Sequence, residues 1–210
     1  MNWRPLRKSW WLKLPRLGEG ENTATALGAF LEQHAGEPVR VTVNSFGGHA
    51  AEGAAMMALI GQHGTVRAEV LGIAASAASL LLMEAAHIAM HSAALLMIHN
   101  PAALAFGTAD ELRGEATTLD KIADTYAAAY SRCTGHPLSR IRAWMDAESW
   151  MNAEEALALN FCDEITGEGE RAKAVAAFDY TRFKSAPAQL LRRAARNGWA
   201  GETAASTPAH

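Results

Sequence analysis

The sequence is poor in the residues that staple, ligate or span. Among 210 residues there are two cysteines, Cys133 and Cys162, far apart and in no C-x-x-C, so neither a disulfide framework nor a thiolate zinc site is indicated. His87 and His91 make an H-x-x-x-H that lacks the glutamate of a zinc protease. No phosphate-binding G-x-x-x-x-G-K-[ST] is present. These absences leave no metal or cofactor to be expected. The longest nearly uncharged stretch, Val70 to Met83, is shorter than the roughly 18 residues of a membrane span. No signal-peptide apolar core with a cleavage site opens the chain, so the expectation is a cytoplasmic protein. A formal charge of -3 gives no basic footprint for nucleic acid. The N-terminal "MNWRPLRKSWWLKLPR" is locally cationic and aromatic, but it reads as a leader and first strand rather than a membrane or nucleic-acid contact.

What is present is ample core: 50% of the residues are hydrophobic and 20% charged, a balance that fits one soluble globular domain. Strand and helix signals alternate, which points to an α/β class. "SWWLKL" (9–14) reads as a first strand. Asn22 or Thr23 caps a helix over "TATALGAFLEQHA" that Gly36 and Glu37-Pro38 end. "VRVTVN" (39–44) is a strand followed by a Gly47-Gly48 loop and a helix over 50–63. "TVRAEVLG" (65–72) is the next strand, and it runs into "LGIAASAASLLLM" (71–83), helical in propensity to about Ala86. "HIAMH" (87–91) and "ALLMIH" (94–99) read as a strand pair joined by a tight turn.

Thr108 caps the clearest helix. There Leu112, Ala116, Leu119, Ala123, Tyr126, Tyr130 and Cys133 recur at alternating spacings of four and three. That stripe faces either the core or another subunit, since a 3.5-residue repeat is what paired helices use. A short helix from Leu138 to about Asp146 precedes "AESWMNAEEALALNFCDEI" (147–165), in which Asn152 caps a helix and "FCDEI" reads as a strand. The expected division is a leader at 1–21, a domain at 22–167, and a C-terminal extension at 168–199 with an amphipathic basic helix over 186–199. A disordered tail at 200–210 completes it.

Two hydroxyls in an apolar run need an explanation, because an unpartnered buried one costs about 1–3 kcal/mol. Ser76 falls at a strand-to-helix junction, where its hydroxyl is presented beside the unpaired amide of Ala77 in the helix's first turn. An ordinary N-cap is the competing reading. Ser79 lies a turn further on, where it can bond back to a main-chain carbonyl. A nucleophilic serine needs a base. His99 ends an apolar run and begins the loop at Asn100-Pro101, the strand edge where function sits in such sheets, with a structural histidine as the alternative. Gly47-Gly48 lets main-chain amides approach a ligand, or is simply a turn.

"VNSFGG" (43–48), "GIAASAAS" (72–79), "MIHNP" (97–101), "ELRGEATTLDKIADTYAAAYSRCTG" (111–135) and "ESWMNAEEALALNFCDEI" (148–165) resemble, in order and spacing, the ClpP-type serine peptidases, especially those encoded by phages and prophages among head-assembly genes. The resemblance spans roughly Val39 to Ile165. It implies a crotonase-like spiral of βαβ and ββα units with a protruding handle helix, here about 108–133, through which rings stack. It implies a homo-oligomeric ring. It maps the nucleophile onto Ser76, the general base onto His99, and the oxyanion amides onto Gly47, Gly48 and Ala77. The acid falls on Glu148, where cellular members usually have aspartate, with Asp146 as the competing acid. Glutamate is one methylene longer, yet it can still accept the Nδ1–H of His99. Phe46 stands where proline is common.

The function so implied is a serine endopeptidase, in the form of a prohead protease acting on capsid or scaffold protein. The alternatives are a proteolytic subunit serving a Clp-type ATPase, a CoA-thioester hydratase or isomerase on the same fold, and an inactive ring scaffold. The N-terminal segment does not resemble the axial loops that engage an unfoldase, which argues against the ATPase partner.

Overall fold

The structure is a computed structural model that describes residues 8–12, 16–167 and 179–199. The leader before Lys8, most of the strand expected over 174–180, and the tail at 200–210 lie outside the described residues. In chain order the elements are β1 (Ser9–Leu12), α1 (Ala24–Gln33), β2 (Val39–Ser45), α2 (Ala50–His63), β3 (Val66–Ala75) and α3 (Ala77–Leu80), which continues as a 3-10 turn over Leu81–Glu84. β4 (His87–His91), β5 (Leu95–Ile98), α4 (Ala109–Thr134), α5 (Leu138–Asp146), β6 (Ser149–Asn152), α6 (Ala153–Ala158) and β7 (Glu164–Thr166) follow. A 3-10 turn at Tyr180–Arg182 and α7 (Ala188–Arg196) close the described chain.

The sheet runs β1-β2-β3-β4-β7, with all these neighbours parallel. β4 and β5 both exist where the sequence placed strands, but they are not paired with each other. Each is parallel to β3: β4 lies along Arg67 to Val70 and β5 along Ile73 to Ala75. The turn between them sidesteps the chain without reversing it, so ten-residue β3 serves two neighbours in succession. β6, not foreseen as a strand, adds antiparallel to β5. The helical stretch foreseen as running to Ala86 is a four-residue α3 followed by the tighter turn.

Period-two alternation splits the end of β3 between two cores. Ala74 faces the large cluster shared with α1, α2 and the base of α4, whereas Ile73 and Ala75 face a second cluster with Phe46, Met97, Tyr180, Leu190 and Ala194. The C-terminal 3-10 turn and α7 therefore cover the sheet face opposite α2. α4 carries a full capping box at Thr108 and Glu111. Its later turns bury Tyr126, Ala127, Ala129 and Tyr130, while Leu112 and the residues around it are exposed. The stripe is thus core at one end and free surface at the other.

The β2–β3 register slips between Val43 and Ser45. Asn44 Oδ1 fills the break by accepting the Ile73 N–H at 3.2 Å, in space that a Cβ on Gly72 would occupy, 2.6 Å from that oxygen. This bulge delivers the Gly47-Gly48 loop to the end of β3. Gly53 on α2 packs against the chain just beyond, and a Cβ there would lie 2.8 Å from both the Cβ and the carbonyl oxygen of Ala77. Alanine would gain about 1 kcal/mol in helix propensity but cost about 1–3 kcal/mol in overpacking against backbone. Gly53→Ala is therefore expected to lower Tm by a few degrees in a thermal melt; an unchanged or raised Tm would show that α2 yields more easily than this packing implies.

Candidate active site

Ser76 joins β3 to α3 with φ 57 and ψ -130. A non-glycine residue in such a conformation costs about 1–3 kcal/mol and needs its surroundings to hold it there. They do so through hydrogen bonds. The Ser76 N–H donates to the Met97 carbonyl at 2.9 Å, and its own carbonyl accepts the Ser79 N–H at 2.9 Å. Ser79 Oγ lies 2.7 Å from the Ser76 carbonyl, 2.9 Å from the Met97 carbonyl and 2.8 Å from the Tyr130 hydroxyl. With one proton, Ser79 can satisfy one carbonyl at a time, so Tyr130 O–H is the donor to Ser79. Burial pushes the Tyr130 phenol well above the usual tyrosine range, which keeps it neutral and able to donate. Ser79, fully buried, is thus a brace for the bend at Ser76, bonded to backbone as its sequence position implied.

Close approach of the glycine loop completes the bend. Gly47 has φ 89, and a Cβ on it would stand 2.7 Å from the Ala75 carbonyl and 2.9 Å from the Ala77 nitrogen. The Gly47 N–H donates to Ser45 Oγ at 3.2 Å, whereas the Gly48 N–H has no acceptor among the described residues. Ala77 is the first residue of α3, where an N–H lacks an intrahelical acceptor. Of the three expected amides, Gly48 and Ala77 are therefore open, and Gly47 is engaged.

His99 follows β5 and places Nε2 at 2.8 Å from Ser76 Oγ. Burial pushes the imidazole below the usual histidine range, and the Glu148 carboxylate partly offsets this by pulling it up. The ring is consequently neutral at pH 7. For Ser76 to donate its hydrogen, Nε2 must be the bare nitrogen and Nδ1 must carry the proton.

Glu148 lies just beyond α5, buried at 8% exposure and with a positive φ of 54. The expected hydrogen bond from His99 Nδ1 to Glu148 is absent among the described contacts. Its carboxylate is turned to other donors: Ser185 N–H at 2.6 Å and Trp150 Nε1 at 3.3 Å on one oxygen, and Lys184 N–H at 2.9 Å on the other. The extra methylene lets the carboxylate reach a segment of the C-terminal extension. Glu148 therefore acts on His99 by charge across a gap. Asp146 is exposed and accepts from Asn100 Nδ2 at 2.7 Å, Asn100 being the residue next to His99 in the chain.

Sequence reasoning missed the covering of this site by Phe183, whose ring stands edge-on to His99 at 6.2 Å and to Trp150 at 5.3 Å. It also missed Lys184 and Ser185, whose contribution is backbone N–H and leaves no mark on side-chain pattern. His87 and His91 have structural partners, Glu164 Oε2 at 2.8 Å for the first and the Ala93 N–H at 3.1 Å for the second. Among the described residues no group of three or more His, Cys, Asp or Glu is placed to hold a metal ion, and no helix is long and apolar enough to cross a membrane.

A family model described as Clp protease matches residues 21–169. The chain is 30% identical over 132 residues to the ATP-dependent Clp protease proteolytic subunit 2 of Chlamydia pneumoniae, covering 60% of this chain and 64% of that protein, slightly under two thirds of its length. It is 31% identical over 132 residues to the ATP-dependent Clp protease proteolytic subunit of Pleurastrum terricola, covering 61% of this chain and 67% of that protein. Among solved structures it resembles a point mutant of ClpP1 from Listeria monocytogenes, with a TM-score of 0.67 and 21% identity, covering 78% of this chain and 92% of that one. That likeness concerns the fold.

Removing the Ser79 hydroxyl leaves the Tyr130 O–H buried without an acceptor, at a cost of about 1–3 kcal/mol. Ser79→Ala should lower stability in urea unfolding by that amount, and Ser79→Ala with Tyr130→Phe should recover much of the loss. Equal costs for the single and double variants would mean the two hydroxyls are not coupled.

Proposed function

The chain belongs to the Clp protease family, and from that premise we propose that it is a serine endopeptidase with Ser76 as nucleophile, His99 as general base and Glu148 as the acid that favours the imidazolium. The observation that carries this is the 2.8 Å bond between His99 Nε2 and Ser76 Oγ at a backbone bend that only a positive φ allows. His99 takes the Ser76 proton as Oγ bonds to the peptide carbonyl carbon, and the oxyanion forms before the N–H groups of Gly48 and Ala77. Gly47 joins them if its N–H leaves Ser45. The imidazolium then gives its proton to the departing amine as the C–N bond breaks, and water, deprotonated by His99, releases the acyl group. Asp146, turned to Asn100, takes no part.

The same resemblance that supports the chemistry supports a homo-oligomeric ring in which α4 projects toward other copies. Leu104 and Phe106, in the loop before it, are 86% and 85% exposed. The physiological role we propose is maturation of a phage or prophage head, with capsid or scaffold protein as substrate. A second reading, degradation together with a Clp-type ATPase, is favoured by the names of the relatives. The two differ in one measurement. Co-expression with phage capsid and scaffold proteins should give Ser76-dependent processing of one of them without nucleotide. Proteolysis that needs ATP and a co-purifying hexameric unfoldase would overturn the head-maturation reading in favour of the second.

The chemistry is tested by intact mass after treatment with a fluorophosphonate. One adduct is expected on the wild type and on Ser79→Ala, and none on Ser76→Ala or His99→Ala. Peptidase turnover should fall by about 10⁶-fold in Ser76→Ala and by a much smaller factor in Glu148→Gln, whose charge acts across a gap and not through a hydrogen bond to the ring. The pH profile gives a sharper check. His99 must be neutral to act, and Glu148 raises its pKa, so Glu148→Gln should move the acid limb of activity to lower pH while lowering the plateau. An upward shift would show that another group supplies the charge.

A further inference from the structure

We infer that residues 183–185, which lie beyond the stretch matched by the family, form a positioning element that fixes where the Glu148 carboxylate stands across the gap from the general base. The inference rests on the proposed role of Glu148. Its basis is a clamp of two consecutive backbone amides. Lys184 N–H donates to Oε2 at 2.9 Å and Ser185 N–H to Oε1 at 2.6 Å, so the two oxygens are held separately and the carboxylate plane cannot turn. Ser185 Oγ donates to the Ala147 carbonyl at 3.1 Å, which ties the clamp to the residue before the acid. A carboxylate at 8% exposure without donors would be costly, so loss of the clamp sends it toward water.

The segment is itself anchored. Tyr180 is fully buried, and Leu190 and Ala194 of α7 are buried in the same cluster. Phe183 lies between the clamp and the base, with its ring on both His99 and Trp150. The three residues thus touch the base with one side chain and the acid with two amides.

The consequence follows from Coulomb's law, since a charge that swings outward acts more weakly on the imidazole. The groups around His99 are few. The bend at the end of β3 offers the Ser76 hydroxyl. The end of α5 offers Asp146, held by Asn100, and the chain just beyond it offers Glu148. Among the described residues, the C-terminal segment beside Phe183 brings Arg182 and the Lys184 ammonium, both on exposed residues. Among these, Glu148 is the charge that acts on the ring. Releasing it should resemble neutralising it.

The test is the rate of fluorophosphonate acylation of the full assembled protein as a function of pH. Ser185→Pro and Lys184→Pro each remove one clamping N–H. Each should slow acylation by about ten- to a hundredfold, the scale of a misplaced catalytic group, and move the acid limb in the same direction as Glu148→Gln. Ser185→Ala, which keeps the N–H and loses only the hydroxyl tie to Ala147, should slow acylation less than Ser185→Pro does. Glu148→Gln combined with Ser185→Pro should be no slower than Glu148→Gln alone. Effects that multiply in the double variant, or a wild-type profile in the proline variants, would overturn the clamp. If Glu148→Gln itself acylates normally, the assignment of the acid has failed instead. Hydrogen exchange needs no proline variant: the Lys184 and Ser185 amides should be protected in the wild type and faster in Glu148→Gln. Rapid exchange of both in the wild type would also refute the proposal.

Discussion

Much of this molecule is arranged around one unfavourable backbone conformation, the positive φ at Ser76. Left alone, that residue would relax into the helix or the strand on either side of it. It is held because the chain beyond it, the neighbouring strand and a distant helix all bond to it. Met97 of β5 receives its N–H, Ser79 takes its carbonyl, and Tyr130 of α4 secures Ser79. Each such bond contributes on the order of 1 kcal/mol net, so several are needed to offset a strain of about 1–3 kcal/mol. Glycine at positions 47 and 53 is the steric side of the same demand, for both pack against Ala75 or Ala77 backbone.

The electrostatics is simpler than a three-membered hydrogen-bonded chain. The serine and histidine are in contact, whereas the acid acts through space while its hydrogen bonds go elsewhere. Desolvation holds His99 neutral, which suits a base, and the Glu148 charge tempers that effect so that the ring can still accept a proton. These two influences oppose each other, and their balance depends on where the carboxylate is kept.

Legibility in the sequence followed the range of the interactions. The bend was readable because strand pattern, small residues and helix propensity change over within Leu71 to Met83. The N-caps at Thr108 and Asn152 were readable for the same reason, and that at Thr23 to within one residue of Asn22, as each depends on residues within three positions. The pairing of β4 and β5 was not, since apolar runs joined by a turn look alike whether the chain reverses or sidesteps. β6 is a four-residue strand whose existence depends on β5. Least visible were the partners of Glu148. They lie 36 and 37 residues away in sequence and act through main-chain N–H groups that every residue but proline possesses. The family motif identified the carboxylate without indicating what holds it.

Phe46 gives the glycine loop a second attachment. Its ring meets Tyr180 edge-on at 5.2 Å and Phe183 at 6.2 Å, so the loop that lies against Ser76 and the segment that holds Glu148 share one aromatic contact. A proline would stiffen the loop by itself; phenylalanine makes its stiffness a joint property. Thermodynamic reciprocity then applies. Whatever orders the loop is felt by the C-terminal segment through that contact, and whatever docks or severs that segment is felt in the loop to the same extent.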